Sequence, residues 1–230
     1  MAAMLFSIDG AGHGTVGDLP VEPTVRGERV ALPPPQTDGG PPLVRTLARR
    51  RSVREFDPAA LSAGQIGQIL WAAQGITHDG GHRTTPSAGA LYPLEAYVVT
   101  SDGVFHYEPV PHLLRRLREG DLRRSLYRVC RDQEAVLQAP AVFVLAAVYG
   151  RTERRYGRAR APRYVHMEAG HAAQNILLQA VGLDLGGVPI GAFDDEAVHE
   201  VLGLPAGEAP IYLVPVGRPR GTRVTSPSKK

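Results

Sequence analysis

The strongest constraint on the fold is a long helical pattern at residues 164–182. Small and apolar residues recur at helical spacing, at positions 169, 172, 173, 176, 177 and 180, and Gly182 follows the last of them. Residues spaced by three and four lie on one face of a helix, so we expect one long helix with a continuous apolar stripe. The small side chains permit burial as the central helix of the domain or close packing against a partner, and the pattern leaves both open.

Strands are predicted on both sides of this helix. Residues 96–100 and 104–108 are rich in β-branched and aromatic residues, and Ser101-Asp102-Gly103 between them is typical of a hairpin turn. Residues 141–148 have the length and apolarity of a buried strand, and residues 211–216 predict a last strand. Because these strands do not alternate regularly with helices, we predict the α+β class.

Shorter helices complete the expected elements. Residues 43–51 predict a short helix, and Ser62 with Gln65 forms a capping box for a helix that stops at Gly75. Residues 113–137 predict one or two basic amphipathic helices, whereas the arginine-rich residues 151–163 predict a mobile segment. Asp194 or Asp195 is expected to cap a helix that ends near residue 202.

The two ends of the chain differ from its middle. Residues 1–42 are rich in proline and glycine and predict an arm, residues 43–220 predict one domain, and residues 221–230 predict a basic disordered tail. Residues 12–17 match the GxGxxG pattern of dinucleotide-binding loops. Pro20 and Pro23 follow where such a loop needs a helix, so we reject that interpretation.

Composition excludes several classes of function. The chain is 43% hydrophobic with a net charge of +3, and its arginines are scattered among acidic residues with only 6% aromatics, so we predict no nucleic-acid partner. Cys130 is the only cysteine, which excludes an intramolecular disulfide and fits a cytoplasmic protein. Residues 1–8 lack the pattern of a secretory signal, and the apolar run at residues 139–149 is too short to span a bilayer.

A basic stretch at Arg50–Arg54 is the first candidate binding site. In an extended chain, Arg50, Ser52 and Arg54 point to the same side and present two charges and a hydroxyl. Guanidinium groups match phosphate oxygens in pairs, so this stretch suits a phosphate, although a solvated basic turn has the same composition.

Metal and nucleophile chemistry find less support. His166 and His171 are five residues apart, which separates them by roughly 140° around a helix, so they cannot share one ion and we predict no metal site. Cys130 has no evident catalytic partner, and Ser87 fits ligand binding better than nucleophilic attack.

Three separated segments together suit a planar ligand with one phosphate. Arg50–Arg54 supplies charge, whereas the small residues at 86–89 and 187–192 allow the backbone to approach a ring closely. Arg218 and Arg220 add charge near the C-terminus. Flavin mononucleotide (FMN) has this anatomy, with a ring system and one phosphate.

The chain resembles the nitroreductase superfamily of FMN flavoproteins, and within it the SagB-type dehydrogenases, which oxidise azoline rings to azoles in ribosomally made peptide natural products. Five stretches carry the resemblance in family order: RRSVREF at 50–56, PSAGALYPLE at 86–95, EAGHAAQN at 168–175, VPIGAF at 188–193 and PVGRP at 215–219. They cover roughly residues 43–220. The resemblance implies an FMN-binding fold with a mixed central sheet flanked by helices, assembled as an intertwined homodimer.

The resemblance also implies roles for individual residues. The FMN phosphate and ring edge would contact Arg50, Arg51, Ser52 and Arg54, with further charge from Arg218. The isoalloxazine ring would contact Pro189, Ile190, Gly191 and Ala192 of one subunit and Pro86, Ser87 and Gly89 of its partner. The long helix would then form the core of the dimer interface.

One departure from the family pattern affects the expected chemistry. SagB-type dehydrogenases usually carry a Lys-Tyr pair before the long helix, and this chain has Arg155-Tyr156 there. Arginine cannot act as a base, so Tyr156 is the candidate catalytic base, activated by Arg155. We therefore expect an FMN-dependent azoline dehydrogenase acting on a peptide or small molecule, with a cyclodehydratase complex as a candidate partner. A general NAD(P)H-dependent nitro- or quinone reductase and a non-catalytic flavin-fold scaffold remain alternatives.

Overall fold

The computed structural model describes residues 27–221, which fold around one sheet. Within these residues the strands are β1 (Arg29–Ala31), β2 (Leu94–Thr100), β3 (Gly103–Glu108), β4 (Leu113–Glu119), β5 (Ala141–Ala147), β6 (Gly186–Gly187) and β7 (Ala209–Gly217). The helices are α1 (Leu43–Arg49), α2 (Ala63–Gln74), α3 (Arg123–Val129), α4 (Glu134–Gln138), α5 (Tyr149–Tyr156), α6 (Ala161–Gly182) and α7 (Asp195–Leu202). A short 3₁₀ turn covers Ala88–Ala90.

The sheet has the order β1-β4-β3-β2-β5-β7-β6, and each neighbouring pair of strands is antiparallel. The predicted hairpin is present as β2 and β3, with Thr100 opposite Gly103 at the turn. Ser52 also forms a parallel bridge with Gly187 of β6, so the sheet has one parallel contact at this edge. The predicted α+β class is confirmed.

Strand β5 separates two apolar cores. All seven of its residues are buried, and successive side chains point to opposite faces. Phe143 and Leu145 pack on the side of α2 and α6, whereas Val142 and Val144 pack on the side of α3, α4 and α7. Burial of each large apolar side chain contributes roughly 1.5–3 kcal/mol, so the helices on both faces hold the sheet.

The predicted long helix is confirmed as α6, which begins three residues earlier than expected. Its apolar stripe is buried against the sheet and α2. The capping box is also confirmed, because Gln65 N donates to Ser62 Oγ (3.2 Å) and Ser62 N donates to Gln65 Oε1 (3.0 Å). At α7 the cap is Asp194, whose Oδ1 accepts from Ala197 N (2.9 Å).

The prediction of helices over residues 113–137 is wrong for its first part. Residues 113–119 form β4, which pairs with β3 on one side and β1 on the other. Leu113, Leu114 and Leu117 match helical spacing, but pairing on both sides of the strand outweighs that local preference. Helices α3 and α4 follow as predicted, and the arginine-rich residues after β5 are helical through α5.

The structure describes only part of the two predicted ends. Within the arm at residues 1–42, β1 joins the sheet edge and Leu32 is buried in the core. The GxGxxG stretch at residues 12–17 and the tail after residue 221 lie outside the described residues. In the described part of the chain, no helix is long and apolar enough to cross a membrane.

Candidate functional site

The basic segment at Arg50–Arg54 runs extended between two distant parts of the chain. Val53 N donates to Gly187 O (3.0 Å), and Asp57 N donates to Arg218 O (2.8 Å). Between these bonds, Phe56 is buried and forms an antiparallel bridge with Pro219. The backbone on both sides of Arg54 is therefore fixed, while Arg54 itself is exposed.

The arginines at positions 49–54 differ in whether a carboxylate pairs with them. Arg49 pairs with Asp184 across 3.4 Å. In the described part of the chain, no carboxylate lies within salt-bridge distance of Arg50, Arg51 or Arg54. Arg51 Nη1 instead donates to two backbone carbonyls at the end of α1 (2.9 and 2.7 Å). The positive charge at Arg50 and Arg54 is therefore available to an anion, and Ser52 is exposed beside it.

A pocket of about 210 Å³ lies next to Arg54. Its wall is formed by Gln133, Glu134 and Ala135 on one side and by Val188, Pro189 and Ile190 on the other. The structure thus brings the predicted residues Pro189 and Ile190 to Arg54. Gly191 and Ala192 follow them and are exposed, and the Ala192 carbonyl accepts a bond from Gln133 Nε2 (2.9 Å).

The glycines before this pocket are required by packing of the chain itself. A Cβ on Gly186 would lie 2.5 Å from Val53 Cγ2, and one on Gly187 would lie 2.8 Å from Pro215 O. A side chain at Gly186 would push Val53 of the arginine segment away from β6, and one at Gly187, which bonds Val53, would push β6 away from β7. These glycines therefore position the basic segment, a role that the sequence pattern did not distinguish from contact with a ring.

The loop that contains Pro86, Ser87 and Gly89 has a strained backbone. Gly89, Ala90 and Tyr92 have φ angles of 64°, 53° and 46°, which is the left-handed region. Residues other than glycine are disfavoured there by roughly 1–2 kcal/mol each. Strain of this kind persists only where the surroundings hold the backbone, and it is concentrated at functional sites.

Two groups of bonds hold this loop. Ser87 Oγ accepts from Tyr92 N (2.9 Å), and Arg151 Nη1 donates to Tyr92 O (2.9 Å). Arg151 is paired with Glu95, whose other oxygen lies 2.7 Å from His106 Nε2. Burial alone would raise the pKa of Glu95, but His106 and the charge of Arg151 lower it below the ordinary value. The Glu95 carboxylate therefore stays charged and keeps Arg151 on the loop.

Tyr156, the predicted base, lies beside Gly89. A Cβ on Gly89 would be 3.0 Å from Tyr156 Oη and 3.1 Å from Arg155 Nη1. The guanidinium carbon of Arg155 is 5.7 Å from the centre of the Tyr156 ring, and the ring of Tyr164 packs against it at 4.6 Å. The structure thus brings Tyr156 to the loop, and a side chain larger than glycine at position 89 would crowd its hydroxyl.

Glu168 is a residue that the sequence analysis missed. It lies on α6, is 2% exposed, and its Oε1 has no hydrogen-bond partner in the described structure. Burial raises the pKa of Glu168 to about 7, against smaller opposing effects of Ser87 and Arg83. A carboxylate on the apolar stripe of a helix was the available signal, since Val165, Glu168 and Ala172 share one face.

Cys130 and His166 take no part in this arrangement. Cys130 is fully buried in the core on the side of α3, and burial raises its pKa to about 12, so the thiol stays protonated. His166 Nε2 lies 2.7 Å from Tyr149 Oη, on the outside of α6.

The site residues thus form two groups within one chain. Arg50–Arg54, Pro189–Ala192 and Arg218 form the first, and the loop with Tyr156 and Glu168 forms the second. The loop and the residues just before it, from Arg83 on, bond or contact α2, β2, α5 and α6 within the described residues. The first group fits a flavin phosphate and ring edge, because the Arg54 guanidinium, unpaired among the described residues, adjoins a partly apolar pocket.

Comparison with known proteins agrees with this architecture. The model of the nitroreductase family matches residues 47–218. The curated relative MJ1384 of Methanocaldococcus jannaschii, assigned as a nitroreductase, is 44% identical over 182 residues, which is 76% of this chain and 90% of the relative. Both groups of site residues lie within the matched range.

Solved structures share the fold. A protein assigned as a nitroreductase from Ralstonia eutropha JMP134 aligns with a TM-score of 0.77 and 33% identity, over 83% of this chain and 89% of its own. The NADPH:FMN oxidoreductase of Vibrio harveyi aligns at 0.59 and 23% identity, over 77% and 69% of the two chains. The E. coli microcin synthetase complex McbBCD with truncated pro-MccB17 aligns at 0.64 and 24%, over 79% and 74%.

The last two similarities are too low in identity to indicate more than the fold. The family model and the 44% identical relative indicate more, since both cover most of the chain. The chain therefore belongs to the nitroreductase family of oxidoreductases.

Proposed function

We propose that this protein is an FMN-dependent oxidoreductase whose site is shared by two copies of the chain. The observation that carries the proposal is Arg54, which lines the pocket with Pro189 and Ile190 and has no carboxylate partner among the described residues. Arg50, four residues earlier, likewise has none. A phosphate dianion would neutralise these charges, and the adjoining apolar wall suits the edge of a flat ring.

The second group of residues would complete the site from a partner subunit. Pro86 and Gly89 are exposed and Ser87 is half-buried, so the loop presents backbone and a hydroxyl at the surface. Within its own chain the loop is bonded to Arg151 of α5 and, through the adjacent Thr85, to Asn175 of α6, and its described bonds include none to Arg50 or Arg54. A homodimer that places the loop opposite the pocket of its partner would join the two groups.

For the reaction we propose dehydrogenation of an azoline ring to an azole in a peptide. Bound FMN would supply the hydride-accepting ring. Tyr156 Oη would take the proton from the ring carbon, since this oxygen lies at the loop and Arg155 Nη1 is close to it. Arg155 cannot itself accept a proton, so it is left a positioning role beside Tyr156 and Gly89.

Three measurements on the purified protein test the proposal. We expect a bound flavin spectrum, a dimer mass, and oxidation of an azoline peptide that falls by two orders of magnitude or more in Tyr156→Phe, the range typical of losing a general base. Tyr164→Phe removes the hydroxyl of the neighbouring ring and serves as the matched control. A colourless protein that takes up no FMN would refute the cofactor, and full activity in Tyr156→Phe would refute the base.

A second candidate is a general NAD(P)H-dependent nitro- or quinone reductase, favoured by the 44% identity to an assigned nitroreductase. Turnover of NADPH with a quinone, without oxidation of an azoline peptide, would support it. A non-catalytic scaffold in a complex with a cyclodehydratase is the third candidate. Peptide modification that proceeds while the flavin is never reduced would support the scaffold.

A further inference from the structure

A second pocket, of about 440 Å³, lies beside Tyr92 and is lined by none of the residues assigned to FMN. Part of its wall is apolar and is formed by Leu91 and the turn at Pro109–Pro111. Val110 in this turn is 85% exposed, so the apolar wall is open to a ligand. The rest of the wall is charged or polar and includes Arg83, Glu95, His106, Glu108 and Arg151. An apolar wall with a few convergent polar groups is typical of a small-molecule site.

The carboxylates of this pocket are already bound within the protein. One oxygen of Glu95 pairs with Arg151, and the other lies 2.7 Å from His106 Nε2. Glu108 Oε1 lies 2.9 Å from Arg115 Nε. Arg115 Nη2 also lies 3.3 Å from His106 Nδ1. Because an arginine can only donate, Nδ1 is the acceptor, and His106 keeps its hydrogen on Nε2 for the bond to Glu95.

Arg83 lines the same pocket without such a partner. Among residues 27–221, no carboxylate lies within salt-bridge distance of it. Its side-chain hydrogen bonds in this range come from Nη1, to Gln74 Oε1 (2.8 Å) and Leu94 O (3.5 Å). The guanidinium also stacks on the Tyr92 ring at 4.8 Å. These contacts hold the group in place and leave the hydrogens of Nε and Nη2 for a ligand.

The free edge of Arg83 determines which ligand fits. Nε and Nη2 form one side of the guanidinium, and their two parallel N–H groups match the two oxygens of a carboxylate. The guanidinium is partly buried, and this burial lowers the pKa of Arg83. Water therefore solvates the charge incompletely, and an anion in the pocket would compensate it.

We propose that this pocket binds a small organic acid, with its carboxylate on Arg83 and its apolar body against Leu91 and Pro109–Pro111. The proposal is independent of FMN binding, because the arginines assigned to the FMN phosphate do not line this pocket. An organic acid satisfies both parts of the wall, whereas an inorganic anion would leave the apolar part exposed to water.

The test is calorimetric titration of the purified full chain, in the presence of FMN, with benzoate and with benzamide. Benzamide has the same ring and no charge. Benzoate should bind to the wild type at least about tenfold more tightly, because it forms charge-assisted hydrogen bonds that the amide cannot form. Arg83→Gln should remove the difference between the two compounds. The methyl NMR signals of Val110, assigned by their absence in Val110→Asn, should shift when benzoate binds to the wild type.

Arg83 also stacks on Tyr92, so a second pair of variants keeps the test decisive if Arg83→Gln folds poorly. Val110 is exposed, and Val110→Asp adds a negative charge at the rim, whereas Val110→Asn has a similar size and no charge. Benzoate should bind several-fold more weakly to Val110→Asp than to Val110→Asn, because like charges repel. Benzamide should bind the two variants equally.

Four results would overturn the proposal. These are equal binding of benzoate to Val110→Asp and Val110→Asn, equal affinity of the wild type for benzoate and benzamide, an unchanged preference for benzoate in folded Arg83→Gln, and no binding of benzoate at millimolar concentration. A change in flavin absorbance without a shift of the Val110 signals would place benzoate at the flavin and would also overturn it.

Discussion

Glu168→Gln should remove a pH-dependent part of the stability of the fold. The pKa of this carboxyl rises from an ordinary 4.5 to about 7 in the folded protein. A tenfold change in an ionisation constant corresponds to about 1.4 kcal/mol, so ionising Glu168 costs the folded state about 3 kcal/mol. Below pH 4.5 both states hold the proton and the full stability is present. Between that pH and about 7 the unfolded chain ionises first, and stability falls.

The assay is urea unfolding of wild type and Glu168→Gln across this range, with cofactor content held fixed because a ligand of the folded state adds its own contribution. The difference in unfolding free energy should shift by about 3 kcal/mol in favour of the variant from low to high pH. Any change in unfolding free energy caused by the glutamine side chain itself is independent of pH, so it leaves this shift unchanged. A difference that stays constant across the range would show that Glu168 titrates normally and refute the reasoning.

Three other substitutions test separate parts of the structure. Arg54→Ala should weaken FMN binding by tenfold or more in equilibrium titration, because a charge-assisted bond contributes roughly 1.5–3 kcal/mol. Arg49→Ala is the control, because the charge of Arg49 is already paired with Asp184. Equal flavin content in the two variants would contradict the assignment of Arg54. Gly89→Ala should lower the free energy of unfolding in urea by about 1 kcal/mol, because its φ is left-handed. It should also lower turnover, since the added Cβ would crowd the hydroxyl of Tyr156. Unchanged turnover would argue against that contact. Ser62→Ala should cost about 1 kcal/mol in the same unfolding assay through loss of the helix cap, with FMN affinity unchanged.

Elements with strong local signals could be predicted from the sequence. Helix α6 has a long, mostly apolar stripe, α2 has its capping box, and β5 is an apolar run of strand length. Strand β4 could not be predicted in this way, because its leucines have helical spacing and its state is decided by pairing with β1 and β3. Local preference is a weak guide where distant partners supply the hydrogen bonds.

The candidate site shows the same division. The unpaired charge at Arg54 and the contact between Gly89 and Tyr156 follow from segments that the sequence had singled out. The raised pKa of Glu168 depends on its burial, which is not visible in a linear pattern. The packing function of Gly186 likewise required knowing that Val53 lies against it.

The bonds that fix the arginine segment also place it late in folding. Val53 and Asp57 bond to Gly187 and Arg218, which lie far along the chain, so these contacts close long loops at a high entropic cost. On the ribosome, residues 50–54 emerge long before residue 218 is synthesised. We therefore expect the cofactor to meet a nearly completed chain, and flavin incorporation to report on how far folding has proceeded.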